Sequence, residues 1–124
     1  MFQAEADKSA NLLKLSFSQH VDLDEAKRCF ERVQTLLADM QPGFRLLTDL
    51  SDLELMDVAC ARYVGRIMDF CNAKGIAQVV RVIPDPRKDI GLKIISLFHY
   101  RRDVRAVTCE NLEEAKKALR SSED

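Results

Sequence analysis

Residues 44–75 read FRLLTDLSDLELMDVACARYVGRIMDFCNAKG and predict a strand, a polar junction and a helix. The apolar run 44–50 favours a mostly buried strand, and Ser51-Asp52 favours its end. Asp57 is suited to cap the following helix. The buried face of that helix is predicted from apolar residues at helical spacing: Cys60, Tyr63, Val64, Ile67, Met68 and Cys71. Gly75 predicts the end of the helix, because glycine readily adopts a left-handed backbone conformation.

Strands and helices also alternate on both sides of this segment. Residues 2–6 and 13–17 alternate apolar with polar side chains and predict a hairpin. Asp22 and Glu25 form a capping box that opens a helix ending before Pro42-Gly43. The C-terminal half predicts a strand over 77–83, a helix over Arg87 to Leu97, a strand over 104–108 and a final helix opened by Asn111 and Glu114. The order β-β-α-β-α-β-α-β-α predicts an α/β fold with one mixed β-sheet and helices packed against it.

Composition bounds the class of protein. The 124 residues suit a single domain over 1–124, and 47% of them are apolar. The net charge of −1 argues against a nucleic-acid-binding protein, because such proteins carry a large basic excess. Charged residues interrupt every apolar run before the ~18 residues of a membrane span, and Met1 to Lys8 lack the pattern of a signal peptide. We therefore expect a cytoplasmic protein with no membrane span and no nucleic-acid partner.

The sequence offers little chemistry for catalysis. Its four cysteines are far apart and contain no CxxC pair: Cys29, Cys60, Cys71 and Cys109. His20 and His99 do not complete a zinc motif, and phosphate-binding glycine motifs, GxSxG and HExxH are absent from the sequence. We therefore expect no enzyme activity, no metal and no cofactor. Cys60 is the best candidate nucleophile because it falls near a helix N-terminus, but its place on the apolar stripe favours a buried structural thiol.

Five short motifs follow one another along the chain: residues 44–51, Met56-Asp57, Lys74-Gly75, the predicted strand 79–84 and the ending 107–115. In this order they resemble the STAS domains, a family that includes bacterial anti-sigma-factor antagonists and the cytoplasmic domains of anion transporters. The resemblance covers most of the chain. It implies a mixed β-sheet backed by helices and a role in regulation through protein–protein interaction.

The chain departs from that family at the site of regulation. Regulatory STAS domains carry Asp, two small hydroxyl residues and Gly, and the second hydroxyl is phosphorylated. The corresponding residues here are Asp57-Val58-Ala59-Cys60, so the chain resembles a divergent member that lacks the phosphoacceptor serine. We expect Ala59 to make the chain insensitive to such a phosphorylation switch, since the phosphate must attach to a hydroxyl.

Two surfaces are candidates for binding a protein partner or a second copy in a homodimer. The resemblance places the first on the outer face of the second helix and on the acidic junction before it, at Asp52, Glu54, Asp57, Val58, Arg62 and Arg66. The second lies on the predicted helix over 87–97, on the side away from the core: Lys88, Leu92, Ile95 and His99. The alternative function is a carrier of a small apolar or anionic ligand, because a related fold occurs in Sec14-type lipid-transfer domains.

Overall fold

A computed structural model describes residues 1–83 and 104–121. Its elements, in chain order, are β1 (Phe2–Asp7), β2 (Leu12–Val21), α1 (Leu23–Leu37), β3 (Arg45–Met56), a 3-10 helix (Val58–Cys60), α2 (Ala61–Ala73), β4 (Gln78–Val82), β5 (Arg105–Cys109) and α3 (Leu112–Ser121). The predicted α/β class with one mixed sheet is confirmed. The predicted helix over 87–97 lies outside the described residues, together with its candidate interface of Lys88, Leu92, Ile95 and His99.

The five strands form one sheet in the order β1-β2-β3-β4-β5. β1 is antiparallel to β2, and all other neighbouring pairs are parallel. The crossovers from β2 to β3 and from β3 to β4 move in the same direction across the sheet, so right-handed connections place α1 and α2 on the same face. The two helices pack together there, with the ring centroid of Phe30 6.2 Å from that of Tyr63 and 6.3 Å from that of Phe70.

The two faces of the sheet carry buried clusters of different size. The face beneath α1 and α2 carries the larger cluster, which we call the large core. The face beneath α3 carries a smaller one: Leu12, Leu47, Val80, Val82, Cys109, Ala115 and Leu119. Neighbouring side chains of a strand point to opposite faces. Each of three apolar pairs therefore supplies one residue to the large core and one to the smaller cluster: Leu12-Leu13, Leu46-Leu47 and Val79-Val80.

The strand β3 is longer than its sequence pattern indicated. The predicted strand ended at Leu50, whereas β3 continues to Met56. Asp52 and Glu54 therefore lie in a strand, and their placement in a loop was wrong. The acidic side chains interrupt the apolar pattern, so the sequence did not predict residues 51–56 as strand. Leu53 and Met56 are each 1% exposed and anchor this part of β3 in the large core.

The strand β2 is also longer than predicted. It runs to Val21, so His20 lies in a strand and not in the connection to α1. The register between β2 and β3 shifts between Ser16 and Ser18 and again between Gln19 and His20. Gln19 has a positive φ of 58° at the second shift. Such bulges interrupt the alternation of side chains and bend the strand, which explains why a simple alternating pattern ended too early.

The predicted starts of α1 and α3 are confirmed. Asp22 Oδ1 accepts a hydrogen bond from the Glu25 amide at 2.9 Å, at the start of α1. Asn111 Oδ1 accepts one from the Glu114 amide at 2.9 Å, at the start of α3, while Glu114 Oε2 accepts from the Glu110 amide at 3.0 Å. These bonds satisfy amides that a helix N-terminus leaves without an intrahelical partner.

Two glycines hold the segments that lead into β3 and β4 together. Gly75 has a φ of +91°, which confirms the predicted left-handed end of α2, and Gly43 has a φ of +86°. The Gly43 amide donates to the carbonyl oxygen of Gly75 at 2.7 Å, and the Ala77 amide donates to that of Phe44 at 2.8 Å. A Cβ atom at Gly75 would lie 3.2 Å from Cβ of Pro42, so the two chain segments approach closely here.

Candidate functional site

The carboxyl ends of β2 and β3 lie side by side at one end of the sheet. Alpha/beta folds commonly place their ligand-binding sites at this end of the strands. In the β2–β3 register, His20 pairs with Leu55 and Val21 pairs with Met56. The amide of Asp57 then donates to the carbonyl oxygen of Val21 at 3.0 Å. This bond fixes the start of the 3-10 helix beside the end of β2.

An ion pair joins the two strand ends. His20 Nε2 lies 2.6 Å from Asp57 Oδ1, and both side chains are exposed to solvent. The hydrogen bond from Asp57 raises the pKa of His20, and the negative charges of Asp22 and Glu25 act in the same direction. The Asp57 side chain therefore binds a histidine, and the prediction that it caps the following helix was wrong, because it makes no capping bond.

Five side chains at this edge form one exposed surface, which we call the junction surface: His20, Asp57, Val58, Arg62 and Arg66. Val58 is 66% exposed, a large fraction for an apolar side chain. Arg62 and Arg66 are exposed and four residues apart, so they share one side of α2. The junction surface therefore combines an exposed apolar side chain with positive charge and an ion pair.

Asp52 and Glu54 lie in β3, ahead of the residues of the junction surface. Leu53, which lies between them, points into the large core beneath α1 and α2. Both acids are exposed, and each lies beside a shift in the register between β3 and β2. Asp57 and Val58 follow the end of β3, and Arg62 and Arg66 follow Val58 at intervals of four residues, whereas Asp52 and Glu54 lie within β3.

The charge of Arg66 is positioned by aromatic contacts. Its Cζ atom lies 5.1 Å from the ring centroid of Tyr63, where a cation is attracted to the face of the ring. Tyr63 in turn packs against Phe30 of α1. Arg66 is therefore held over a ring that is itself fixed by the contact between the two helices.

Cys60 lies at the end of the 3-10 helix, and its side chain is fully buried. Its Sγ atom donates a hydrogen bond to the carbonyl oxygen of Val21 at 3.5 Å. Burial raises the pKa of the thiol to about 11, and the negative charge of Asp57 acts in the same direction. A thiol with this pKa stays protonated at neutral pH, which is the opposite of an activated nucleophile.

The other three cysteines are also free and buried. Over residues 1–83 and 104–121, no group of three or more His, Cys, Asp and Glu side chains could hold a metal ion. Across those same ranges, no helix is long and apolar enough to cross a membrane.

Several solved structures share this arrangement of strands and helices. An uncharacterized DUF3478-family protein from Shewanella loihica PV-4, with a SpoIIAA-like fold, has a TM-score of 0.70 at 12% identity, covering 95% of this chain and 93% of that one. The anti-sigma factor antagonist SpoIIAA in its unphosphorylated form has a TM-score of 0.64 at 15% identity, covering 97% and 98%. RsbS from Moorella thermoacetica has a TM-score of 0.68 at 15% identity, covering 98% and 96%. The chain has a STAS-like fold.

At these identities the likeness establishes the STAS-like fold and nothing finer. No protein-family model matches the sequence, and no curated protein matches it. Ala59, between Val58 and Cys60 in the 3-10 helix, is exposed and has no hydroxyl group.

Sequence reasoning did not assign His20 to the site. Parallel pairing is the signal that could have found it, because strands that end at the same edge bring their last polar residues together. The predicted strands ended at 17 and 50, too early to place His20 beside Asp57. Extending the first strand to Val21 and the second past Leu53 to Met56, the last buried apolar residue of each, would have done so.

Proposed function

We propose that this chain is a non-enzymatic regulatory domain that binds another protein through its junction surface. The observation that carries the proposal is the 66% exposure of Val58 beside two arginines and an ion pair. An exposed apolar side chain surrounded by charge is typical of a surface that a partner covers. The STAS-like fold supports the same function, because SpoIIAA is an anti-sigma factor antagonist.

The side chains of the junction surface favour a partner with an acidic and an apolar group. A guanidinium binds carboxylates through two parallel hydrogen bonds, while its stem covers apolar surface. Arg66 already lies over Tyr63, so little conformational entropy would be lost when a partner carboxylate binds it. The apolar group of the partner would cover Val58.

Regulation in this proposal does not use the phosphorylation switch of regulatory STAS domains. Ala59 has no hydroxyl, and the hydroxyl residues of the preceding strand are Thr48 and Ser51. Thr48 is 1% exposed, and Ser51 Oγ donates to Asp49 Oδ1 at 2.5 Å. Neither hydroxyl lies at the junction surface.

Incubation with a kinase that phosphorylates regulatory STAS domains, followed by peptide mass spectrometry, tests this point. We expect no phosphate between Thr48 and Ala61 in the natural sequence. The variant Ala59→Ser is the matched control, because it supplies the missing hydroxyl at the same place. Stoichiometric phosphate on the natural sequence in this segment would show that the switch is present after all.

Paired charge reversals test the binding surface. A native mass spectrum of the protein purified from its source identifies a second copy or a foreign chain, and the same complex is then measured for variants. Arg62→Glu with Arg66→Glu should abolish the complex while the circular dichroism spectrum is retained. Lys27→Glu with Arg28→Glu is the matched control, since it makes the same charge change at exposed positions of α1.

The predicted helix over 87–97 supplies the competing result. If Leu92→Glu with Ile95→Glu breaks the complex and the α2 pair leaves it intact, the junction surface is not the binding surface. The variant pair that breaks the complex therefore identifies which of the two candidate surfaces binds the partner.

A further inference from the structure

A groove runs along the sheet face opposite α1 and α2. Within the described residues, α3 packs over β4 and β5, and residues of β1, β2 and β3 line a groove beside it. The groove between this helix and these strands has a volume of about 310 Å³. Small-molecule sites are commonly concave, mostly apolar and about this size or larger, with a few polar groups that orient the ligand.

The floor of the groove is apolar. Leu12, Leu47 and Leu119 of the smaller buried cluster line it, and they are 7%, 8% and 8% exposed. Leu112, in the first turn of α3, forms part of the wall and is 39% exposed. An apolar ligand here would cover leucine surface that water now contacts.

Two lysines flank Leu47 on this floor. Lys14 of β2 pairs in register with Leu47 of β3. On the other side, Arg45 Nη1 donates to the carbonyl oxygen of Leu119 at 2.7 Å, which fixes the end of α3 over the first residue of β3. Lys116 lies one turn earlier on α3, beside the row that contains Leu47, and it also lines the groove.

The two acids that line the groove are partly compensated by other groups. Asp49 Oδ1 accepts hydrogen bonds from the Ser51 amide at 2.9 Å and from Ser51 Oγ at 2.5 Å. Glu5 is the cross-strand partner of Lys14, so these two charges offset each other. Among the described residues, no hydrogen bond or ion pair engages Lys116, whose charge is therefore available to a ligand.

We propose that this groove binds a small amphiphilic carboxylate. The carboxylate pairs with Lys116 at the wall of the groove, and the apolar chain lies on the leucine floor. A volume of about 310 Å³ is at the lower end of the range of small-molecule sites, so the groove suits a small ligand. The site lies on the face of the sheet opposite α2, so it is independent of the junction surface and of the proposed protein partner.

Titration with octanoate, which has this size and charge, tests the proposal on the full chain. In heteronuclear NMR spectra, octanoate should shift the amide signals of Leu47, Leu112 and Lys116 in a saturable manner. Octan-1-ol, which lacks the charge, and acetate, which lacks the chain, should each bind more weakly than octanoate. Absence of shifts at the groove, or equal affinity for octanoate and octan-1-ol, would overturn the assignment.

A pair of single substitutions separates the site from general attraction to lysines. Lys116→Gln should weaken octanoate binding by roughly five-fold, the size of a partly exposed ion pair. Lys117→Gln, one residue further along the same helix and not in the groove, should leave the affinity unchanged. Equal effects of the two variants would contradict the proposal. So would shifts of the groove amides with protein concentration alone, because they would show that a second copy occupies the groove.

Discussion

The two halves of β3 belong to one strand but have different surroundings. In the first half, residues 45–49, every residue pairs with β2 on one side and with β4 on the other. In the second half, residues 50–56, the register with β2 shifts, and no described strand pairs with the other edge. Leu46 in the first half is fully buried, whereas Leu55 in the second half is 46% exposed.

This contrast separates a half that is paired on both sides from a half that is held in the large core by a few residues, among them Leu53 and Met56. The first half is surrounded by strands and by both buried clusters, so its side chains determine whether the sheet forms. The second half extends past β4 and carries the chain to Asp57 and Val58, so it determines where the junction surface lies. Substitutions in the two halves should therefore differ in what they change.

The largest expected effect comes from the same substitution made in each half. Leu46→Ala should lower the free energy of unfolding by about 3 kcal/mol, because it leaves a cavity in the large core. Leu55→Ala should lower it by less than about 0.5 kcal/mol, because the side chain is already largely hydrated. Chemical denaturation measures both values, and similar losses in the two variants would refute the contrast.

Two cysteines near the two halves of β3 should differ by an intermediate amount in their contribution to the free energy of unfolding. α2 runs antiparallel to β3, so Cys71 lies toward the first half and Cys60 toward the second. Cys71→Ser should cost about 2 kcal/mol, because a hydroxyl is buried in the large core. Cys60→Ser should cost only about 1 kcal/mol, because the carbonyl oxygen of Val21 is available as an acceptor.

Thermal and chemical unfolding show which of the two serine variants loses more stability. The burial of Cys60 has a separate check, since iodoacetamide should alkylate it slowly in the native protein at neutral pH. Rapid alkylation would show that the thiol is accessible, and it would revive the interpretation of Cys60 as a nucleophile.

The smallest expected effect is a dependence of stability on pH at the end of the second half. The pKa of His20 is raised above its usual value by Asp57, so folding favours the protonated histidine. The stabilisation is complete below the pKa of an unfolded histidine, and it is lost as the pH rises through the pKa of His20 in the folded protein.

The variant Asp57→Asn should lower the pKa of His20 and reduce this dependence, which lies above the pKa of an unfolded histidine, about 6.5. Titration of the His20 ring signals by NMR gives the pKa, and melting curves over the same range give the stability. An unchanged pKa of His20 in Asp57→Asn would mean that the ion pair does not form in solution.

The same contrast explains what the sequence could and could not predict. The alternating pattern of β1, the apolar run of the first half of β3 and the helical spacing of the buried stripe of α2 placed these elements correctly, because each of them is paired or packed along its whole length. The capping residues Asp22 and Asn111 were recognised because their hydrogen bonds are local. Element order and the resemblance to STAS domains then gave the fold.

The features that the sequence did not predict depend on contacts between segments that are distant in sequence. The second half of β3 is held by Leu53 and Met56 against acidic neighbours, and bulges in its register with β2 interrupt the expected alternation. The ion pair of His20 with Asp57 follows only from the shared end of two strands. For the same reason the sequence placed Asp52 and Glu54 in a loop, although they lie in β3.

The hydrogen bond between Gly43 and Gly75 has a consequence for exchange of protein amides with solvent. It joins the segment before β3 to the segment before β4, so the two ends of the β3–α2 unit are held together. The Gly43 amide can exchange its proton only after this bond opens, and opening it separates the starts of the two strands. Hydrogen–deuterium exchange at this one amide should therefore be as slow as the cooperative opening of the β3–α2 unit, although the glycine itself lies in a surface turn.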